Sequence, residues 1–275
     1  MKLSIITVNR NNSAGLERTL SSVLLQTFND FEHIIVDGAS DDDSVEIIKR
    51  YEKESSLSTL KTPHPIRWIS ERDKGVFDAM NKGIAMAEGE YLLFLNSGDW
   101  LVSEDVLEKV FAENPAADVY YCQENVINNG KVWVSDIPED LTFGFFYKST
   151  LMHKSTFMKK SLFDEYGLYR EDLKIMGDWE FWLRSIILGN ATTKKSSIVV
   201  SNYVEDGISA TNPELDIKEK NIVYQQFPLR YFVPDYRKHE KELQRGESVR
   251  WFCGKRFFMK IVDFLYGFAG KALRK

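Results

Sequence analysis

Cysteine is scarce in this chain. Of 275 residues, only Cys122 and Cys253 carry a thiol, far apart, which excludes a disulfide framework and a paired-cysteine metal site and points to a reducing compartment. Proline is scarce too, at seven residues, and no linker-like tract appears before about residue 210. No run of 18 apolar residues occurs, so a membrane-spanning helix is not expected. The opening MKLSIITVNRNN has one lysine and too short an apolar run for a signal peptide, so the expected location is cytoplasmic. Positive charge is not in excess. A net charge of −5 argues against a bulk nucleic-acid binder, so no nucleic-acid partner is expected. Internal repeats and low-complexity tracts are absent. With 43% apolar residues the chain still has the means to bury a sizeable core.

What is present is alternation. LSIITV (3–8), HIIVDG (33–38), IRWIS (66–70) and YLLFLN (91–96) read as short strands, the first two buried on both faces. Helical spacing lies between them: Leu16, Leu20, Val23 and Leu24, then Val45, Ile48 and Tyr51, then Val76 to Ala87, then a helix opening at Ser103 through Val106 and Val110. Strands alternating with helices predict βαβ units and a parallel sheet, whose ligands bind at the carboxyl ends of the strands. Polar residues recur at those ends: Asn9-Arg10-Asn11, Asp37, Glu71-Arg72-Asp73, and Asn96-Ser97-Gly98-Asp99. Four such ends at one edge predict a site. Asp78, Asn81 and Lys82 share one face of the third helix, while Ile84, Met86 and Ala87 mark its buried side. Further on, DVYYCQ and GKVWVS flank Asn128-Asn129-Gly130, a hairpin signal. DLKIMGDWEFWLRSIILG predicts a helix with a dense aromatic face, and IVVSNY a late strand.

These residues resemble a known family. SIITVNRNN, HIIVDGASDDDS and SERDKGVFDAMNKGIAMAEGEYLLFLNSGDW are similar to the nucleotide-sugar domain of family 2 glycosyltransferases. HKSTFMKKSLFDEYGLY and IMGDWEFWLR resemble its acceptor half, and the nearest subgroup is bacterial enzymes that build capsule, exopolysaccharide or O-antigen polysaccharides. The resemblance implies a GT-A fold: Rossmann-like, α/β, with a mixed, mainly parallel sheet flanked by helices, over residues 1–210. It also implies an inverting, metal-assisted transfer from a UDP-sugar to a hydroxyl of a saccharide or lipid-linked saccharide. A non-catalytic nucleotide-sugar-binding relative acting as a scaffold is the alternative.

Such transfer needs the diphosphate's charge neutralised, the acceptor hydroxyl deprotonated and the two substrates aligned. By the resemblance, Thr7, Val8, Asn9 and Arg10 cradle base and ribose, and Asp37 reads the uracil or ribose edge. Arg72, Asp73, Asn81 and Lys82 touch the donor, with Lys82 placed for diphosphate charge. Where the family has an Asp-x-Asp motif, this chain reads Asn96-Ser97-Gly98-Asp99. Asp99 is then the ligand to Mn²⁺ or Mg²⁺, Asn96 and Ser97 contact ribose or phosphate, and His153 approaches the metal or diphosphate. Asp178 is the general base, preceded by Gly177 where the family has a second acid; Glu180 is the alternative base. Tyr203 to Ser209 resembles the family's loop near the active site.

The tail differs from the body. From Gly246 to Lys275 seven Lys or Arg face only Glu247 and Asp263. On a helical wheel Phe257, Phe258, Ile261, Phe264, Leu265 and Phe268 fill one face, opposite Arg256, Lys260, Lys271 and Arg274. This predicts a basic amphipathic helix (246–275), joined by a charged helical connector (211–245), that places the chain at the inner face of the cytoplasmic membrane. Packing on a second copy, a homodimer, is the other use for such a helix.

Overall fold

The structure, a computed structural model, describes residues 1–55, 64–204, 212–226 and 228–252. The chain divides into two units, Met1–Glu219 and Lys220–Lys275.

In the first unit β1 (Leu3–Asn9) and β2 (Phe31–Asp37) are buried along their whole length, as their unbroken apolar runs require. Between them α1 (Ser13–Leu24) is capped by the Asn12 side chain, which accepts from Gly15 N. Next come α2 (Ser44–Ser55), β3 (Ile66–Ser70), α3 (Val76–Met86), β4 (Tyr91–Phe94), β5 (Trp100–Leu101) and α4 (Val106–Ala112). The helix expected to open at Ser103 begins at Val106 instead, because the Ser103 hydroxyl donates to Asp105 and the intervening residues form a turn. The hairpin β6 (Val119–Asn128) and β7 (Lys131–Val134) forms as expected, with Asn129 at φ 49° and Gly130 at φ 75°.

Four further elements follow: α5 (Phe143–Lys148), β8 (Thr156–Lys159), α6 (Ser161–Tyr166) and α7 (Gly177–Trp182), which runs on as a π-helical stretch, Leu183–Leu188. Then come β9 (Thr193–Val204) and α8 (Pro213–Tyr224). In the second unit α9 (Leu229–Phe252) contains Pro234, and Arg237 donates to Asn221. Of the amphipathic helix expected over 246–275, residues 246–252 fall within α9, and the remainder lies outside the described residues. Among the described residues, no helix is long and apolar enough to cross a membrane.

The sheet order is β3-β2-β1-β4-β8-β6-β9-β5, with β7 on β6. β1 to β4 run parallel, β6 pairs in parallel with β9, and the other pairings are antiparallel. Parallel register pairs outnumber antiparallel ones, so the sheet is mixed and mainly parallel. Helices cover both faces. Leu16 and Leu20 of α1 and Ile48 and Tyr51 of α2 pack on Ile35. Gly83 of α3 lets that helix lie directly on Ile6.

A buried polar chain crosses the core under α2. The Thr7 hydroxyl donates to the Leu95 carbonyl (2.8 Å) and therefore accepts from His33 Nε2 (2.9 Å). His33 Nδ1 then accepts the Tyr51 hydroxyl (2.7 Å), whose oxygen accepts from His64 Nε2 (3.0 Å). Burial, and then the charge of His64, hold His33 well below its usual pKa. The unfolded chain therefore binds a proton near pH 6.5 that the folded chain refuses. This contribution is complete above that pH and lost below it, by about 1.4 kcal/mol per pH unit until the folded pKa is reached. Urea midpoints of wild type and His33→Gln at pH 7 and pH 5 check this. The gap between the two proteins is expected to narrow on acidification, and a constant gap would sink the assignment.

Candidate active site

The four polar strand ends are bonded to one another. Asn9 Nδ2 donates to Asp37 Oδ1 (2.8 Å), the Asn11 amide to Ser40 Oγ (2.8 Å), and the Ser13 amide to Asp42 (2.9 Å). Asn12 Nδ2 reaches the Ser97 carbonyl at 3.0 Å. Asp73 lies against Gly38 so closely that a Cβ there would collide with its carboxylate. Asp37 has no exposed surface, and its two oxygens also accept from Ser40 and Ser70. Burial pushes its pKa up, but the hydrogen bonds from Ser40, Ser70 and Asn9 outweigh burial and hold it below its usual value. The carboxylate to which the resemblance assigns the base or ribose edge is thus already hydrogen-bonded to Asn9, Ser40 and Ser70. Asn9 Oδ1, in contrast, is buried without a hydrogen-bond partner among the described residues.

Residues 96–99 form a tight turn. Asp99 N donates back to the Asn96 carbonyl (3.0 Å), and Gly98 takes φ +109°, which a side chain rarely tolerates. Thr19 of α1 braces it from below, accepting from Gly98 N (3.0 Å) and donating to the Asp99 carbonyl (2.6 Å).

Facing this turn, His153–Ser155 make one 3-10 turn and Asp178 opens α7. An ionised Asp178 only accepts, so His153 carries its proton on Nδ1, donates to Asp178 Oδ2 (3.0 Å), and accepts at Nε2 from Asn96 Nδ2 (3.2 Å). Asp178 Oδ1 accepts from Trp179 N (2.8 Å). The aromatic face of α7 fixes this placement. Trp179 Nε1 donates to the Phe146 carbonyl (2.7 Å), Trp182 Nε1 to that of Leu151 (3.2 Å), and Phe181 stacks on Phe163 at 4.5 Å. At Gly177, where the resemblance implies an acid, a Cβ would meet the Phe77 ring at 2.7 Å.

Beside Asp99 lies Lys154, a buried residue whose Nζ is 3.6 Å from Asp99 Oδ1 and 3.1 Å above the Tyr203 ring. Burial lowers the Lys154 pKa while Asp99, Glu124 and Asp178 pull it back up. Glu124 is itself buried, which raises its pKa against the field of Lys154.

The donor set answers the metal expectation differently for its two members. Asp99 fits, since nucleotide-bound Mg²⁺ or Mn²⁺ is held by one or two carboxylates together with phosphates and water. His153 does not fit, because both ring nitrogens are engaged by Asn96 and Asp178. Among the described residues no group of three His, Cys, Asp or Glu is placed to hold a metal.

The structure thus brings Asn9, Asn96, Ser97, Asp99, His153 and Asp178 to one strand-end region and sets others apart. Thr7 is a core residue in the His33 chain, and Val8 is buried beneath, its carbonyl accepting from Ser97 N. Asn81 is buried, with both ends of its amide bonded to the Tyr169 backbone (2.9 and 3.0 Å). This corrects its expected donor contact. Lys82 is drawn onto Glu71, Asp78 and the Arg72 carbonyl. Arg10 and Arg72 are exposed, and Asp73 holds the Gly75 amide. Glu180 pairs with Arg184 within the helix, which removes it as a base.

Sequence reasoning missed Thr19, Glu124 and Lys154. Lys154 reads as one of several lysines in HKSTFMKKS, and the only signal for it is its place next to His153.

Residues 4–171 match the family described as Glycosyl transferase family 2. A PGL/p-HBAD biosynthesis glycosyltransferase of Mycobacterium bovis is 28% identical over 251 residues, covering 90% of this chain and 94% of its own. S. aureus TarS 1-349, solved in complex with UDP, superposes with a TM-score of 0.59 at 20% identity, over 74% of this chain and 60% of that one. A mannosyltransferase from Pyrobaculum calidifontis, solved with GDP-Man and Mn²⁺, gives 0.56 at 15% identity over 76% of this chain and 58% of its own. The chain spans less than two thirds of either solved structure, and at these identities the likeness establishes the GT-A fold. The fold and the family match agree: this chain is a glycosyltransferase and belongs to glycosyl transferase family 2.

Proposed function

We propose that this glycosyltransferase moves a sugar from a UDP-sugar to a hydroxyl of a saccharide or lipid-linked saccharide acceptor, with inversion, in the synthesis of a cell-surface polysaccharide. The observation that carries this reading is the linked set Asn96–His153–Asp178 facing the Asn96–Asp99 turn at the carboxyl ends of the parallel strands. Asp178 accepts the proton of the acceptor hydroxyl as the new C–O bond forms and the bond to the diphosphate breaks. One displacement inverts the anomeric centre.

His153 orients Asp178. The unpartnered Asn9 Oδ1 accepts from the base or ribose, and the unpartnered Asn96 Oδ1 faces ribose or a phosphate-bound water. Asp99 would hold a divalent cation, Mn²⁺ or Mg²⁺, which would neutralise charge on the leaving diphosphate during transfer, a step distinct from donor binding. The relatives' bound UDP and GDP-Man support a nucleotide-sugar donor. The basic, aromatic segment 246–275 supports peripheral association with the inner leaflet, where lipid-linked acceptors are found.

The test is release of nucleoside diphosphate from UDP-glucose, UDP-galactose, UDP-GlcNAc and GDP-mannose, with and without lipid-linked saccharide acceptors. Acceptor-dependent release from one UDP-sugar, with a product of inverted configuration by NMR, is expected. Retention overturns the single displacement. Donor binding without turnover on any acceptor favours the scaffold reading.

A further inference from the structure

The donor's diphosphate brings negative charge to a place that already holds Asp99, Asp178 and Glu124. One cation is buried among them. Lys154 is 4% exposed, and its ammonium lies 3.6 Å from Asp99 Oδ1 with the Tyr203 ring 3.1 Å away on another side. This is not a lysine that packs its stem and sends its charge to water. The charge itself is inside. At 3.6 Å the pair with Asp99 is looser than a charge-assisted hydrogen bond, and the fields of Glu124 and Asp178 and the face of the Tyr203 ring share in holding the charge.

The acid it faces is the one that remains at the strand end. Where the family pattern has two acids, this chain has Asn96-Ser97-Gly98-Asp99. A single acid at the strand end and a buried ammonium beside it act in the same direction: the protein offers little to a dication and carries positive charge of its own. A metal ion held by Asp99 would have that ammonium as its neighbour.

We propose that Lys154 is a catalytic residue: the fixed cation that meets the donor's diphosphate beside Asp99 and makes donor binding independent of a divalent metal. A lysine serves this purpose as a point charge on phosphate oxygens. The inference rests on the nucleotide-sugar reading above and goes beyond it by naming the cation.

The experiment is calorimetric titration of UDP, then of GDP, into the full chain in excess EDTA and in Mn²⁺. It is run for wild type, Lys154→Met and Lys154→Arg, with thermal melts of each. Wild type is expected to bind UDP equally in both conditions. Lys154→Met is expected to bind about 10-fold more weakly or worse in EDTA, with Mn²⁺ restoring binding through the released Asp99, and Lys154→Arg to bind like wild type. Wild-type binding that requires Mn²⁺ overturns the role of Lys154 and leaves the donor reading intact. A folded Lys154→Met that equals wild type in EDTA does the same. Should Lys154→Met not fold, Lys154→Gln is titrated in its place, and wild-type binding that requires Mn²⁺ still overturns the role. No binding of either nucleotide in either condition overturns the donor reading itself, and Lys154's role with it.

Discussion

Asp178→Asn is expected to lower kcat by about 10²–10⁴-fold, the range that a positioned general base contributes, while UDP affinity stays within about twofold. The asparagine keeps the shape and the acceptor oxygen that Trp179 N uses at 2.8 Å. It loses the ability to take a proton, and its amide can turn a donor toward His153 Nδ1, which itself donates across 3.0 Å. Turnover with saturating donor and acceptor, beside calorimetric UDP titration, separates the two effects. Full activity would move the base elsewhere in the site. Loss of UDP binding along with activity would make Asp178 a binding residue.

Glu219→Leu is expected to lower the melting temperature by roughly 5–15 °C, because removing a buried acceptor strands amides that cost about 1–3 kcal/mol each. Glu219 is 3% exposed and accepts from three successive amides: Lys174 N at 2.7 Å, and Ile175 N and Met176 N at 3.0 Å. Those residues lead directly into Gly177–Trp182, so this carboxylate sets where the helix bearing Asp178 begins. A drop in kcat of about 10- to 100-fold is therefore expected, with UDP affinity unchanged, since small misplacements at a reacting centre are costly. Glu219→Gln, which keeps one acceptor oxygen, is expected to recover part of both losses. A variant that melts early yet turns over like wild type below its melting point would reduce Glu219 to a structural role.

The parallel half of the fold was legible because its strands are short, unbroken apolar runs separated by helices, a pattern that depends only on local sequence. The hairpin at Asn129-Gly130 was legible for the same reason. The order of the remaining strands was not, since β8 beside β4 and β9 beside β6 are pairings of distant segments. In the site, the strand-end polar residues announced themselves by interrupting apolar runs. Lys154 and Glu219 did not, because lysine and glutamate in a charged stretch look solvated until tertiary packing buries them. Asn81 failed in the opposite sense. It reads as part of a polar helix face, but the Tyr169 backbone, buried against that helix, needs a partner for its N–H and its carbonyl, and Asn81 supplies both. That the two oxygens of Asp37 accept from Asn9, Ser40 and Ser70 was likewise not legible, because those partners come from separate strand ends and loops.

β5 follows β4 after the five residues that hold the turn, yet it sits at the far end of the sheet, where Trp100 and Leu101 pair with Asn202 and Ser201. That pairing spans about a hundred residues of chain. On a ribosome, the segment from Asn96 to Asp99 emerges long before the strand that anchors its downstream end. Closing so long a loop is slow, and until it closes Asp99 lacks the neighbours that Lys154 and Tyr203 provide. A nascent or truncated chain that stops short of residue 200 therefore has the strand-end loops of the parallel half without the strand that pairs with β5. The turn bearing Asp99 is therefore fixed at its downstream end only once β9 (Thr193–Val204) has paired with β5.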